Sequence, residues 1–182
     1  MTRYISDTLK KQLLDETTHR CGLCLKRVGI NAEEYDIAHI VPHSESCDNS
    51  FENLIILCVS CHSSYTRKLK DVEETSRLKK IKKHWLQLGK YYQIELDCLF
   101  DLYLNNSCPW ISRSAVKNNQ NQNIPSIVIP KNNLFLFKNV IQDKLVQLVS
   151  GNGGVSISGM DVSPVYLAFT DKGYDFCKKI IS

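Results

Sequence analysis

No stretch of this 182-residue chain is apolar for anything close to the roughly 18 residues that a membrane-crossing helix needs, so an integral membrane protein is not expected. The N-terminal MTRYISDTLKK has neither an apolar core nor a small-residue cleavage site, which argues against a secretory signal and for a cytoplasmic location. No internal repeat is visible. Strong net charge is missing too: 23 Lys/Arg against 19 Asp/Glu leaves +4, too little by itself to indicate a nucleic-acid partner. With 43% apolar and 23% charged residues, the chain is too apolar to be disordered. Its length suits one ordinary domain or two small ones.

Cysteine, by contrast, is plentiful, with eight residues. In a reducing compartment, clustered cysteines serve metal binding or catalysis more often than disulfides. Charge is also unevenly spread. Residues 62–90 hold 9 Lys/Arg and 3 Asp/Glu, a net +6, whereas residues 93–182 hold 8 and 7, a net +1.

Periodicity predicts a short helix over 5–17, with Ser6 or Asp7 as its cap and Ile5, Leu9 and Leu13 as its stripe. Residues 28–42 read as a strand closed by Pro42, and His43 to Asn49 as a loop. From 72 to 92, Leu78, Ile81, Trp85, Leu88 and Tyr92 recur at helical spacing, with Lys79, Lys80, Lys82 and Lys83 mostly opposite. Those lysines suit a solvated face and a phosphate-facing one alike. Further helices are expected at 95–106, at 135–149 and from Asp171, the last with Tyr174, Cys177 and Ile181 facing inward. An exposed Asn/Gln loop is expected at 117–123, and a hairpin pairing Val155/Ile157 with Val165/Leu167/Phe169. This order, helix, loop, helix, hairpin, helix, together with the ending Tyr166-Leu-Ala-Phe-Thr-Asp-Lys-Gly-Tyr-Asp-Phe176, resembles a winged-helix domain.

Cys21, Cys24, Cys58 and Cys61 form C-x2-C-x33-C-x2-C. Two thiolates three positions apart in a turn can occupy adjacent corners of a tetrahedron about 2.3 Å from Zn²⁺, and two such pairs close the shell. A closed shell leaves no place for water or substrate, so the expected zinc is structural. A redox dithiol at Cys21/Cys24 alone is opposed by the matching second pair. Cys47, Cys98, Cys108 and Cys177 stand apart and read as small buried hydrophobes.

Between the pairs run Ala38-His39-Ile40-Val41-Pro42-His43-Ser44 and Asn53-Leu54-Ile-Ile-Leu57-Cys58, followed by Cys61-His62. This arrangement resembles the HNH nucleases, whose ββα-metal motif is a hairpin and helix commonly braced by four zinc-bound cysteines. The resemblance covers about residues 5–70. It implies an α+β fold, with an HNH module at 1–92 followed by the winged-helix-like part at 93–182. It also implies a metal-dependent endonuclease acting on DNA. His39 would be the general base, since imidazole can accept a proton near pH 7. His62 would hold one divalent ion, Mg²⁺ or Mn²⁺, as a Lewis acid. Asn53 would hold the loop carrying His39, and Arg67 and Lys68 would contact phosphates.

One position departs from the family. Many members carry Asp or His just before the base histidine as a second metal ligand, and here that residue is Ala38. Asp36, on the same side of a strand as Ala38, and His43, just past Pro42, are the candidates to replace it. The competing reading is a zinc-braced nucleic-acid- or protein-binding module without catalysis, against which intact His39 and His62 speak. HNH modules also resemble effectors of restriction and anti-phage systems, a setting in which an activating partner would matter. With so little net charge, residues 93–182 suit a partner protein or a homodimer contact better than base readout. His19 and His84 have no supporting neighbours, and His84, in the lysine helix, reads as solvated.

Overall fold

Ser6 opens the first helix. In the computed structural model its side chain accepts a hydrogen bond from the Leu9 amide, and α1 runs over Asp7–Glu16 from that cap. The structure describes residues 4–68, 72–104, 113–117, 123–150 and 156–182. The chain divides into two units, Met1–Gly89 with Ile180–Ser182, and Lys90–Lys179. No helix among the described residues is long and apolar enough to cross a membrane.

In the first unit, β1 (Tyr35–His39) and β2 (Leu54–Cys58) pair antiparallel, with Tyr35 opposite Cys58 and His39 opposite Leu54. The strand expected over 28–42 is thus confined to five residues. The expected loop after it contains a short helix, α2 (His43–Ser46), before a 3₁₀ turn at Phe51–Asn53. Cys58 is both the last residue of β2 and the N-cap of α3 (Val59–Thr66), so the chain passes from strand to helix without a connection. α4 follows at Val72–Leu86.

All five β2 residues are buried, as the unbroken Leu-Ile-Ile-Leu run requires. The first cysteine turn lies directly against this strand. The Gly22 amide donates to the Ile56 carbonyl at 2.8 Å, and a Cβ on Gly22 would come within 2.6 Å of Ile55 Cδ1. Trp85 of α4 reaches the same place, its indole N–H donating to the Gly22 carbonyl at 3.2 Å. Leu78, Ile81, Trp85 and Leu88 are buried, as their spacing predicts. Two members of the expected pattern behave differently. Tyr92 is largely exposed, Tyr91 being buried instead, and Lys82 is buried among the apolar residues.

The second unit begins with α5 (Gln93–Tyr103). β3 (Arg113–Lys117) and β4 (Asn123–Pro130) follow, then a 3₁₀ segment and α6 (Lys138–Gln142). The remaining elements are β5 (Val146–Ser150), β6 (Ser156–Ile157), β7 (Met160–Asp161), β8 (Pro164–Phe169) and α7 (Asp171–Ile181). Among the described residues, four strands form one antiparallel sheet in the order β3-β4-β8-β5, while β6 pairs with β7 in a separate two-stranded ribbon. Fully buried Glu95 organises this unit: its carboxylate accepts from the Asn139 and Val140 amides, the Asn139 side chain and the Tyr92 amide. One acidic side chain thereby satisfies donors at the starts of α5 and α6.

The helix expected at 135–149 is overturned. It ends at Gln142, Lys144 adopts a left-handed φ of 58°, and the remainder becomes β5, pairing Val146 with Phe169 and Leu148 with Leu167. Val-Gln-Leu-Val satisfies a strand's alternation as well as a helix's stripe, and the partner strand β8 decides between them. The expected 155–169 hairpin likewise resolves into β6–β7 and a separate central strand, β8. With a hairpin, β3–β4, between α5 and α6, the described residues do not show the order expected of a winged helix. Cys108, Val155 and residues 118–122 of the Asn/Gln tract lie outside the described residues. Cys98 and Cys177 are buried as expected, whereas Cys47 and Tyr174 are exposed.

Gly173 in α7 marks a close approach. A Cβ there would sit 2.2 Å from the Leu145 carbonyl oxygen and 2.8 Å from the Phe169 ring. Gly173→Ala is expected to cost about 1–3 kcal/mol by overpacking, read as a lower urea midpoint for the second unit.

Candidate active site and metal centre

The four paired cysteines converge as their spacing predicts. Their Sγ atoms all lie within 4.8 Å of one another, and Cys24 Sγ is 3.8 Å from Cys58 Sγ. A tetrahedron with Zn–S bonds of about 2.3 Å has edges of about 3.8 Å, so the donor set and its size fit a zinc ion. Local backbone produces each half. Leu25, at a left-handed φ of 61°, turns the first pair back so that the Cys21 amide meets the Lys26 carbonyl at 2.8 Å. Cys58 and Cys61 occupy the cap and first turn of α3.

The thiols themselves call for a cation. The Cys21 thiolate is held low, at about 5, because the Cys24 thiol donates to it. The same bond pushes Cys24 well above the usual thiol range, and burial adds to the rise. Burial, and then the negative Cys21 nearby, raise Cys61 to about 12. Four sulfurs this close do not ionise together unless positive charge is placed among them.

β1 and α3 carry the candidate catalytic groups. His39 ends β1, and the ladder to Leu54 fixes its backbone. The Tyr65 hydroxyl, one turn past His62 on α3, donates to the carbonyls of His39 at 3.2 Å and Ile40 at 2.8 Å. His39 Nε2 lies 2.8 Å from Asn49 Oδ1, and the His43 ring stands edge-on to the His39 ring at 5.2 Å. Asn53 is buried and spans the loop: its Oδ1 accepts from the Val41 amide at 2.8 Å, and its Nδ2 donates to the Val41 and Asp48 carbonyls at 3.1 and 2.9 Å.

A second cluster joins Asp36 to His62. Asp36 Oδ2 is 2.8 Å from His62 Nδ1, both side chains being partly exposed. The structure therefore brings His62 together with Asp36, and His39 together with His43 and Asn49. Arg67 and Lys68 follow α3 on the exposed surface, Arg67 Nε donating to the Ser63 carbonyl at 3.3 Å. His19 is exposed and 3.8 Å from Asp15. His84 is half-buried rather than solvated, with Nδ1 enclosed and without a partner among the described residues.

Tyr65 and Asn49 touch the His39 segment, and sequence reading passes over both. Tyr65 carries a weak signal, lying three residues past His62 on one helix. Asn49 carries none, because a loop asparagine has a turn-forming reading that needs no other explanation.

No curated protein and no solved structure matches the chain. Residues 21–68, which contain all four cysteines, His39, Asn53 and His62, match the family model described as HNH endonuclease. An HNH domain of that endonuclease family therefore lies within residues 21–68 of this chain.

Proposed function

We propose that this protein hydrolyses DNA phosphodiester bonds in a divalent-metal-dependent reaction, with zinc serving only to brace the fold. The observation that carries the reading is the Asp36–His62 pair. Ala38 leaves the position before His39 without a ligand, and an Asp36 carboxylate oxygen 2.8 Å from the His62 ring supplies an anionic donor beside the imidazole. One carboxylate and one imidazole, with the remaining positions left to water and phosphate oxygens, fit Mg²⁺ or Mn²⁺. A cation held there offsets charge on the phosphate and leaving oxygens.

The protein's own groups do the rest. His39 accepts a proton from water as the water oxygen bonds to phosphorus and the bond to the leaving oxygen breaks. Tyr65 holds the carbonyls of His39 and Ile40, and Asn53 holds Val41 just beyond them. Arg67 and Lys68, exposed beyond α3, grip flanking phosphates, and exposed Lys79, Lys80 and Lys83 extend the basic surface. His43 stands edge-on to His39 and leaves the cation to Asp36 and His62. Residues 93–182, at +1, serve a partner protein or a second copy of the chain better than DNA.

Supercoiled-plasmid cleavage with Mg²⁺ or Mn²⁺, an EDTA control and His39→Ala tests the reading. Cleavage is expected to require the metal and to fall roughly 10²–10⁴-fold without His39. A folded, zinc-loaded wild type that cuts nothing would favour the binding-module reading.

A further inference from the structure

Asn49 sits ten residues past His39, in the connection between α2 and the Phe51–Asn53 turn. The contact it makes has a chemical direction. An amide oxygen can only accept, so the 2.8 Å contact with Asn49 Oδ1 is a hydrogen bond when Nε2 is the ring nitrogen that carries hydrogen. In the neutral imidazole, Nδ1 then holds the lone pair.

We propose that Asn49 is a positioning residue for the general base: it accepts the Nε2–H of His39, fixes the plane and tautomer of the ring, and leaves Nδ1 as the atom that takes the proton from water. This rests on the reading of His39 as that base. Both ends of the contact are anchored independently. On the histidine side, the β1–β2 ladder and the Tyr65 hydroxyl hold the backbone. On the asparagine side, the residues flanking Asn49 are tied down. The Ser50 amide donates to the Asp48 carboxylate at 2.7 Å, and Asn53 holds the Asp48 carbonyl at 2.9 Å. The His43 ring closes the third side, inclined at 73° to His39.

The interaction also favours the reaction and not only the geometry. As His39 takes up the proton its ring becomes cationic, and a hydrogen bond from a charged donor is stronger than one from a neutral donor. The Asn49 carbonyl therefore stabilises the state that forms during proton transfer more than the resting state.

Asn49→Ala and Asn49→Asp in the full, zinc-loaded chain test this. In Asn49→Ala, kcat for plasmid cleavage is expected to fall about 10–100-fold with little change in KM, the usual scale for losing a group that orients a ligand or base. Asn49→Asp keeps an acceptor and is expected to recover most of that loss. Nitrogen-15 NMR of the histidine rings gives a readout independent of cleavage, with His39 assigned by its disappearance in His39→Ala. A ring proton on Nε2, protected from exchange, is expected in the wild type and Asn49→Asp and not in Asn49→Ala. A wild-type ring carrying its proton on Nδ1 would overturn the proposal. So would an Asn49→Ala protein as active as the wild type while His39→Ala is dead. Cleavage indifferent to His39→Ala would instead overturn the base assignment on which the proposal rests, so the two failures are told apart.

Discussion

Cys58→Ser is expected to lose bound zinc and to unfold residues 1–89. Cys58 serves three elements at once. Its backbone ends β2 opposite Tyr35, its position caps α3, and its sulfur lies 3.8 Å from Cys24 Sγ. Serine can keep the strand pairing and the cap but offers no thiolate. Three sulfurs leave the shell incomplete and bind the ion too weakly to retain it, with Cys61 alone left to link the second cysteine turn to the first. Structural zinc contributes about 10–16 kcal/mol of apparent binding free energy, comparable to or larger than the 5–15 kcal/mol by which whole domains are stable. Loss of the site therefore exceeds what this unit can absorb. Metal analysis of the purified protein and far-UV circular dichroism on heating check the expectation, with chelator added to the wild type as the matching control. A soluble Cys58→Ser protein that melts like the wild type would show that the thiols do not carry the fold.

What could be read in advance follows the range of the interaction. The cysteine spacing is a local geometric constraint repeated twice, and the four sulfurs do meet. Ser6 as a cap, and Leu78, Ile81 and Trp85 as a buried stripe, depend on residues within a turn or two of one another, and these too were legible. The identity of β5 was not. Residues 146–150 contain both a helical and an extended pattern, and pairing with β8, nearly twenty residues further on, selects the strand. The candidate site divides in the same way. His39, Asn53 and His62 stand out by type and by neighbouring motif. The Asp36–His62 contact depends on a strand and a helix 26 residues apart in sequence, and Asn49 reaches His39 across a loop that has no repeating pattern.

Lys82 shows the same limit on a larger energetic scale. Placed by periodicity among the solvated lysines of α4, it instead puts its ammonium 2.5 Å from a Glu16 carboxylate oxygen, with the two side chains only 4% and 7% exposed. The ammonium also lies 3.8 Å from the centre of the Phe51 ring, so one cation joins α1, α4 and the turn that carries Asn53. Burial lowers the Lys82 pKa and raises that of Glu16, the mark of two charges that would both be better hydrated outside. The second Glu16 oxygen has no hydrogen-bond partner among the described residues. Such a pair is costly to break and need not be stabilising as a whole. Lys82→Met alone strands the Glu16 carboxylate, and the unfolding free energy is expected to fall by about 3–5 kcal/mol. Adding Glu16→Met removes the stranded charge, and the double variant is expected to return to wild-type stability or exceed it. Urea midpoints of the wild type, Lys82→Met, Glu16→Met and the double variant form the cycle that measures the coupling. Strictly additive effects would mean that the pair, despite its burial, is not a coupled unit. If the double variant is stable but cleaves plasmid more slowly, Lys82 is retained for the turn it holds through Phe51, and thus for the loop that presents His39.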